Sequence, residues 1–521
     1  MKKVFILDST LRDGAQGEGI NFSSQDKFNI MKALDEFGID YIEAGNPASN
    51  PKDLEFFKMS SEYKFKNAKL VAFGSTRRKG MKAEEDENLN TLADCSAEYI
   101  TIFGKSWDFH VTDIIRTTLE DNISMITESI EFLTKKGKKV FFDAEHFFDG
   151  YKNNSEYALS VLKAAEKAGA DEIVLCDTNG GCFPDEIFEI TKKVIESVNI
   201  PVGIHCHNDM ECAVANSVSA VKAGASQVQG TFIGIGERCG NTNLSAIIPS
   251  LRLKLGYGCA AVSDLSSLTK TARYIAEVSN LVLADSKPYV GKSAFAHKGG
   301  MHVDGVRKNP KSFEHISPED VGNQRNFLLS EVSGRTVILS KLASIAPELS
   351  KDSIETIQIS DILKDMEFKG YQYEAAEASF ELLVKKYLGK LKTYFDIDYF
   401  KIIGEKSGRT QTPSSAIVKV KVGDKTEIGA DEGDGPVNAI DKALRSALKV
   451  FYPQIEKIHL IDYKVRVMDS NSATAAVVRV LIESTDGKDV WTTVGASSDI
   501  INASVIALVD SIEYKLLKDG V

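Results

Sequence analysis

The sequence predicts an α/β chain: a (β/α)8 TIM barrel, then a mainly helical linker region, then a C-terminal α+β regulatory domain with an internal repeat. Three observations carry this expectation. Eight short β-rich runs alternate with amphipathic stretches over the first 256 residues, and eight βα units in about 250 residues is the count for a closed barrel. Glycines stand just past the helical stretches, as in Lys167-Ala168-Gly169-Ala170 and Lys222-Ala223-Gly224-Ala225, where a helix ends in left-handed backbone. Near the C-terminus, Ala416-Ile417-Val418-Lys419-Val420 is matched by Ala476-Val477-Val478-Arg479-Val480, the mark of a repeated unit.

The eight runs are residues 4–8, 41–44, 69–73, 99–103, 139–142, 172–177, 202–207 and 227–232. Between them, residues 24–37 carry Phe28, Met31, Leu34 and Phe37 at helical spacing. Residues 154–168 form a second helical stretch, and 184–197 a third, opened by Pro184. A doubly wound open sheet is the alternative, but eight units in series favour closure. These units define a catalytic domain over 1–259. Residues 260–392 are mostly helical, with a Gly/His/Lys segment at 297–308. Residues 393–521 hold the repeat, in which Gly429-Ala430 precedes Asn438-Ala439 as Gly495-Ala496 precedes Asn502-Ala503. Each copy ends in a helix, 437–450 and 501–517. Neither copy carries a catalytic cluster, so the region reads as regulatory or dimer-forming.

Composition narrows the function. Lys+Arg total 63 against 74 Asp+Glu, a net charge of −11, which makes a poor non-specific binder of nucleic acid. The short basic run at Arg77-Arg78-Lys79 is followed at once by the acidic Glu84-Glu85-Asp86-Glu87. No run of 18 apolar residues suggests a membrane span. Met1-Lys2-Lys3 resembles a secretory leader only until Asp8, Arg12 and Asp13 break the apolar run, so this segment reads as a strand. The 7 cysteines form no C-x-x-C pair and are odd in number, which fits a reducing, cytoplasmic compartment.

In a barrel the reactive groups collect at the carboxyl ends of the strands. Strand one ends Asp8-Ser9-Thr10-Leu11-Arg12-Asp13-Gly14, although a turn with a helix cap suits Asp13 taken alone. Strand seven ends Ile204-His205-Cys206-His207, and alternate strand residues share a face. His205 and His207 can therefore point together into the mouth, where two neutral imidazoles and a carboxylate make a divalent metal site suited to Mg2+, Mn2+ or Zn2+. Strand eight leads into a loop containing Gly234 and Gly236, which let the backbone cross the mouth closely. Asn241 offers a carbonyl oxygen there, but spacing alone favours it as the N-cap of the following helix. Strands five and six end in Asp143-Ala144-Glu145-His146 and Asp177-Thr178-Asn179. So many carboxylates on one rim call for a neutralising cation. The glycines at 234 and 236 come too late, and form too short a motif, for a dinucleotide fingerprint.

Ser9-Thr10-Leu11-Arg12-Asp13-Gly14, His205-Cys206-His207-Asn208-Asp209 and Gly236-Glu237-Arg238-Cys239-Gly240-Asn241 resemble the three signatures of the 2-isopropylmalate synthase/homocitrate synthase/citramalate synthase family. The resemblance covers nearly the whole chain. Ala144-Glu145-His146-Phe147-Phe148-Asp149-Gly150 and Ala296-His297-Lys298-Gly299-Gly300-Met301-His302 are most similar to its citramalate synthase branch. The resemblance implies a Claisen-type condensation of acetyl-CoA with pyruvate, followed by thioester hydrolysis. It implies a metal set of Asp13, His205, His207 and Asn241, with Arg12 facing the developing oxyanions. Thr178 resembles the hydroxyl that holds the 2-oxo acid's carboxylate, and Glu145 and His302 resemble the proton-handling groups. For His302 a solvated surface loop is the plain alternative, with Asp304 two residues away to orient it. Asp143 stands where some citramalate synthases carry an aromatic pocket residue. The resemblance further implies a homodimer and feedback by isoleucine through small-residue loops at 429–434 and 495–499. The competing readings are a synthase taking a larger 2-oxo acid, a barrel lyase acting on an acyl-CoA, and a non-catalytic amino-acid sensor. The repeated domain and the Gly236–Asn241 loop argue against the lyase.

Overall fold

The computed structural model describes residues 2–259, 265–328, 335–342, 345–350, 353–404, 414–468 and 476–521. The chain divides into two compact units, residues 1–295 with 315–325, and residues 296–314 with 326–521. The residues that follow the expected boundary at 259, 260–264, lie outside the described set.

In the first unit eight parallel strands follow in order: β1 (Lys3–Asp8), β2 (Tyr41–Glu43), β3 (Lys69–Ser75), β4 (Tyr99–Lys105), β5 (Lys139–Glu145), β6 (Glu172–Asp177), β7 (Val202–Cys206) and β8 (Gln227–Gly230). Strand β1 pairs with both β2 and β8, so the sheet is closed and the open doubly wound alternative is excluded. β3, β4 and β5 run two or three residues beyond the hydrophobic runs. There the ladder continues through Phe103↔Asp143, Gly104↔Ala144 and Lys105↔Glu145, although the side chains turn polar. β7 and β8 stop earlier than expected, and His207 forms an isolated bridge with Asn241 instead.

Alternation along the strands builds two cores. Ile6, Ile42, Ala72, Ile100, Phe142, Ile173, Ile204 and Val228 belong to the large core shared with the surrounding helices. Leu7, Tyr41, Val71, Tyr99 and Phe141 form a separate cluster. Its three aromatic rings meet at centroid distances of 5.1–5.3 Å and plug the barrel near the strand starts.

The helices begin and end where their caps dictate. Ser23 and Asp26 form a capping box at the start of Ser24–Phe37, which ends on left-handed Gly38. Asn154 caps Ser155–Ala168, and Gly169 closes it with φ 98°. Pro184 opens Pro184–Ser197.

In the second unit, helices Gly300–Lys308, Arg335–Leu342, Ile354–Phe368 and Glu377–Tyr387 precede two copies of one motif. The copies are the antiparallel sheets Asp396–Gly404/Ser414–Val422/Lys425–Gly433 and His459–Val467/Val478–Thr485/Val490–Ser497, followed by helices Pro436–Leu448 and Ile500–Lys518. Both first strands slip register near their starts, between Ile397 and Tyr399 and between Leu460 and Asp462. Strand pairing moves the repeat by two residues relative to the sequence match. Val418 faces Gly429, whereas the residue facing Gly495 is Val480 and not Val478. The segments at 429–434 and 495–499, expected as loops, begin as strand. A Cβ on Gly429 would stand 2.1 Å from Ala443 O, and one on Gly495 would stand 2.0 Å from Ala503 O. Close strand–helix packing therefore accounts for both glycines. The helix Glu377–Tyr387 packs on Ile500–Lys518, and Ser379 Oγ accepts from Val494 N at 3.0 Å while donating to Asp510. Among the described residues no helix is long and apolar enough to cross a membrane.

One buried carboxyl anchors the entry to β3. Asp35 accepts hydrogen bonds from Tyr63 Oη (3.0 Å) and from the backbone N–H groups of Lys66, Asn67 and Ala68 (2.8–2.9 Å). Losing these bonds at one buried acceptor should cost about 2–4 kcal/mol. Urea unfolding of Asp35→Ala, followed on the barrel transition, is expected to show that loss; an unchanged midpoint contradicts the anchoring role.

Candidate metal and catalytic site at the barrel mouth

The turn after β1 is shaped by its own short polar side chains. Thr10 N donates to Asp8 Oδ1 at 2.8 Å, Ser9 N donates to Gly230 O at 2.8 Å, and Thr10 Oγ1 accepts from Phe232 N at 2.9 Å. This ties the β1 turn to β8 and sets Arg12 and Asp13 at the mouth. Arg12 Nε donates to Glu43 Oε2 at 2.6 Å and Nη1 to Asp13 Oδ2 at 2.8 Å. Its guanidinium lies 4.0 Å from the centre of the Phe73 ring.

Asp13, His205 and His207 converge. His205 Nε2 is 3.6 Å and His207 Nε2 3.9 Å from Asp13 Oδ2. One donor atom from each of the three lies within 4.8 Å of the others, and all three residues are buried. Asn241 Nδ2 donates to Asp13 Oδ1 at 2.9 Å, while its buried Oδ1 has no hydrogen-bond partner. The helix that follows is Leu244–Pro249, and its cap is Asn243. Asn241 is therefore not the helix cap that its spacing favoured; the chain bends once more before the helix starts. Gly236 allows the approach, since a Cβ there would stand 2.1 Å from Asn241 Nδ2.

Electrostatics suit a cation. Burial alone would raise Asp13, but Arg12, His205 and His207 outweigh it and hold the carboxyl well below its usual range. Burial, then the neighbouring His207, pushes His205 down to about 3, and burial also lowers His207. Both imidazoles are thus neutral near pH 7 and available as ligands. A buried carboxylate oxygen, two neutral ring nitrogens and an unpartnered amide oxygen fit a divalent ion.

Thr178 and Glu145 stand on neighbouring strand ends. Thr178 Oγ1 accepts from His146 N at 2.8 Å, which leaves its hydroxyl hydrogen available to donate. Thr178 O accepts from Arg238 Nη2 at 2.7 Å, and Arg238 also clasps Asp209 at 2.8 and 3.0 Å. Glu145 forms an ion pair with Lys105. His302 belongs to the second unit, in the first turn of Gly300–Lys308, stacked on Phe313 at 4.1 Å. Gly299 and Gly300 therefore start a helix where a loop was the plain expectation, and Asp304 pairs with Lys308 at 2.6 Å. Burial, then Glu43, pushes Asp143 well above the usual carboxyl range.

The structure thus brings Arg12, Asp13, His205, His207 and Asn241 together and links Thr178 to the β5 end through His146. Glu43, Phe73, Lys105, Gln229 and Arg238 were not picked out from sequence. A signal was present for two of them: Tyr41-Ile42-Glu43 and Gln227-Val228-Gln229 each place polar residues on the inward alternation, with an apolar residue outward.

Known families match in the same order. The HMGL-like family matches residues 3–275, the homocitrate synthase post-HMGL domain-like family 289–367, and the LeuA allosteric (dimerisation) domain 374–516. The (R)-citramalate synthase of Aquifex aeolicus (strain VF5) is 53% identical over 520 residues, 99% of this chain and 98% of its own length. That of Geobacter sulfurreducens is 50% identical over 519 residues, with 99% and 98% covered. A probable 2-isopropylmalate synthase of Methanopyrus kandleri is 32% identical over 507 residues, 97% of each chain. With the barrel, the linker and the repeated domain each matched in order, and citramalate synthases aligned along almost the full length, the chain belongs to the (R)-citramalate synthase family of HMGL-like acyltransferases.

Proposed function

We propose that this enzyme condenses acetyl-CoA with pyruvate and hydrolyses the thioester, releasing (R)-citramalate and CoA. The observation that carries the reading is near-complete alignment with citramalate synthases, joined to the buried Asp13–His205–His207 set. Asp13, His205, His207 and the Asn241 oxygen hold a divalent cation, Mg2+, Mn2+ or Zn2+. When bound, that ion supplies Lewis acidity at the 2-oxo acid's ketone. Arg12, fixed by Glu43 and Phe73, faces the developing oxyanions. The Thr178 hydroxyl donates to the substrate carboxylate. Glu145, beside Lys105, handles the proton of the acetyl methyl group, and the family resemblance assigns a second proton to His302. The match to the LeuA allosteric (dimerisation) domain supports a homodimer and a regulatory role, and the family resemblance makes isoleucine the expected effector. All seven cysteines are free thiols, which supports a cytoplasmic site of action.

The direct test is thiol release from acetyl-CoA with a panel of 2-oxo acids, using chelator-treated protein with each metal returned. Turnover with pyruvate, abolished by chelation and restored by a divalent ion, is expected. Turnover only with 2-oxoisovalerate or 2-oxoglutarate assigns the larger-substrate synthase, and none with any acid overturns the condensation.

Arg12→Lys keeps the charge but loses the planar fork. A loss in kcat of roughly 100-fold is expected, the scale for removing an oxyanion stabiliser. A raised KM at unchanged kcat would place Arg12 in substrate binding alone.

Titration of the full chain with isoleucine, leucine and valine should show inhibition by isoleucine. A rate unaffected by all three removes the regulatory reading.

A further inference from the structure

Inward-facing polar side chains form a hydrogen-bonded chain from the base of the barrel towards its mouth. Glu172, the first residue of β6, accepts from Gln227 Nε2 at 2.9 Å. Gln227 Oε1 accepts from Gln229 Nε2 at 3.3 Å, and the same nitrogen donates to Asp143 Oδ1 at 3.2 Å. Gln229 Oε1 lies 3.1 Å from His205 Nδ1. Gln227 and Gln229 are fully buried, and Glu172, Asp143 and His205 nearly so.

The chain has a direction. A primary amide has a donor end and an acceptor end, and the Gln229 nitrogen faces two acceptors. Asp143 Oδ1 accepts from that nitrogen whether Asp143 is ionised or carries its hydrogen on Oδ2, and Gln227 is itself turned by Glu172. The Gln229 oxygen therefore faces His205, and an oxygen of this kind only accepts. Nδ1 must then carry the ring hydrogen, which leaves Nε2 with a lone pair. Nε2 is the nitrogen that faces Asp13 Oδ2.

We propose that Gln229, held by Asp143 and Gln227, is a positioning residue that fixes His205 in its Nδ1–H tautomer and so presents Nε2 as an electron-pair donor to the cation. The cation part rests on the metal reading above; the tautomer part stands on the geometry alone. With the amide reversed, its NH2 would face Nδ1, the hydrogen would move to Nε2, and the donor position would close. A side chain that merely fills space would not distinguish substitutes with an acceptor from those without one.

The test uses the full chain with 15N-labelled histidine, His205 being assigned by the signals lost in His205→Gln. Metal-free wild type should give the Nδ1–H pattern at His205. In Gln229→Leu the pattern should shift towards Nε2–H, and the Kd for Mn2+, read by electron paramagnetic resonance titration, should rise roughly 10- to 100-fold, the scale of losing a partner behind a metal ligand. Gln229→Glu restores an acceptor opposite Nδ1, so it should keep the Nδ1–H pattern and hold the Kd within about threefold of wild type, well inside that scale. Should Gln229→Leu fail to fold by circular dichroism, Gln229→Met, which keeps the side chain's length but offers no amide oxygen to Nδ1, carries the same expectations. The proposal falls if the Nδ1–H pattern persists in the folded leucine variant, or if Gln229→Glu loses Mn2+ as completely as Gln229→Leu. A wild type with the Nδ1–H pattern that shifts in Gln229→Leu, yet binds no divalent ion, removes the metal reading and supports the tautomer assignment.

Discussion

Keeping Asp13 ionised while it is buried at the barrel mouth is the constraint on which the site depends. A carboxylate out of water is costly unless paired. Asp13 has Arg12 on one oxygen and the Asn241 amide on the other. Arg12 is itself immobilised by Glu43 and the face of Phe73. Neighbouring acids resolve the same problem differently. Burial pushes Asp8 up to about 7 and raises Asp143 well above its usual range, which eases the repulsion among the carboxyls. Environment thus separates one crowded set of carboxyls, holding Asp13 low and pushing Asp8 and Asp143 up.

Much of this was legible in the chain because strand and barrel periodicities are strong signals. Eight apolar runs gave eight strands, and the polar residues following each run marked the mouth. The ladder ends were less legible: β5 carries on through Asp143 and Glu145 because its neighbour β4 continues beside it, a fact about pairing that hydrophobicity does not record. Asn241 read as a cap because Asn is a common cap, and only the extra bend before Leu244 transfers that role to Asn243. The inward place of Glu43 was readable in Tyr41-Ile42-Glu43, but its pairing with Arg12, 31 residues away in sequence, was not.

The C-terminal repeat shows the same limit. Its two copies share strand order, register slips and a glycine pressed against a helix. Matching letters nevertheless misaligned them by two residues, since like residues two apart on a strand face the same way. Pairing makes Arg479 the counterpart of Ile417. Arg479 is buried and donates to Gly370 O and, at 2.6 Å, to Gln372 Oε1, so the second copy grips the segment that precedes the first copy, through a residue whose counterpart is apolar. The pseudo-symmetric domain is chemically polarised.

The metal-ligand candidates also straddle the seam at which the barrel closes. Asp13 follows the first strand, His205 lies in the seventh, and Asn241 stands 228 residues from the Asp13 oxygen it bonds. Contacts between segments so far apart require long loops to close, which costs chain entropy before any contact rewards it. During synthesis the donor set is therefore incomplete until the eighth unit has emerged. Until then Asp13 and the two histidines lack the Asn241 side chain that bonds Asp13. A cation held by this set would therefore enter a finished barrel, and it would fasten the first strand's turn to the last.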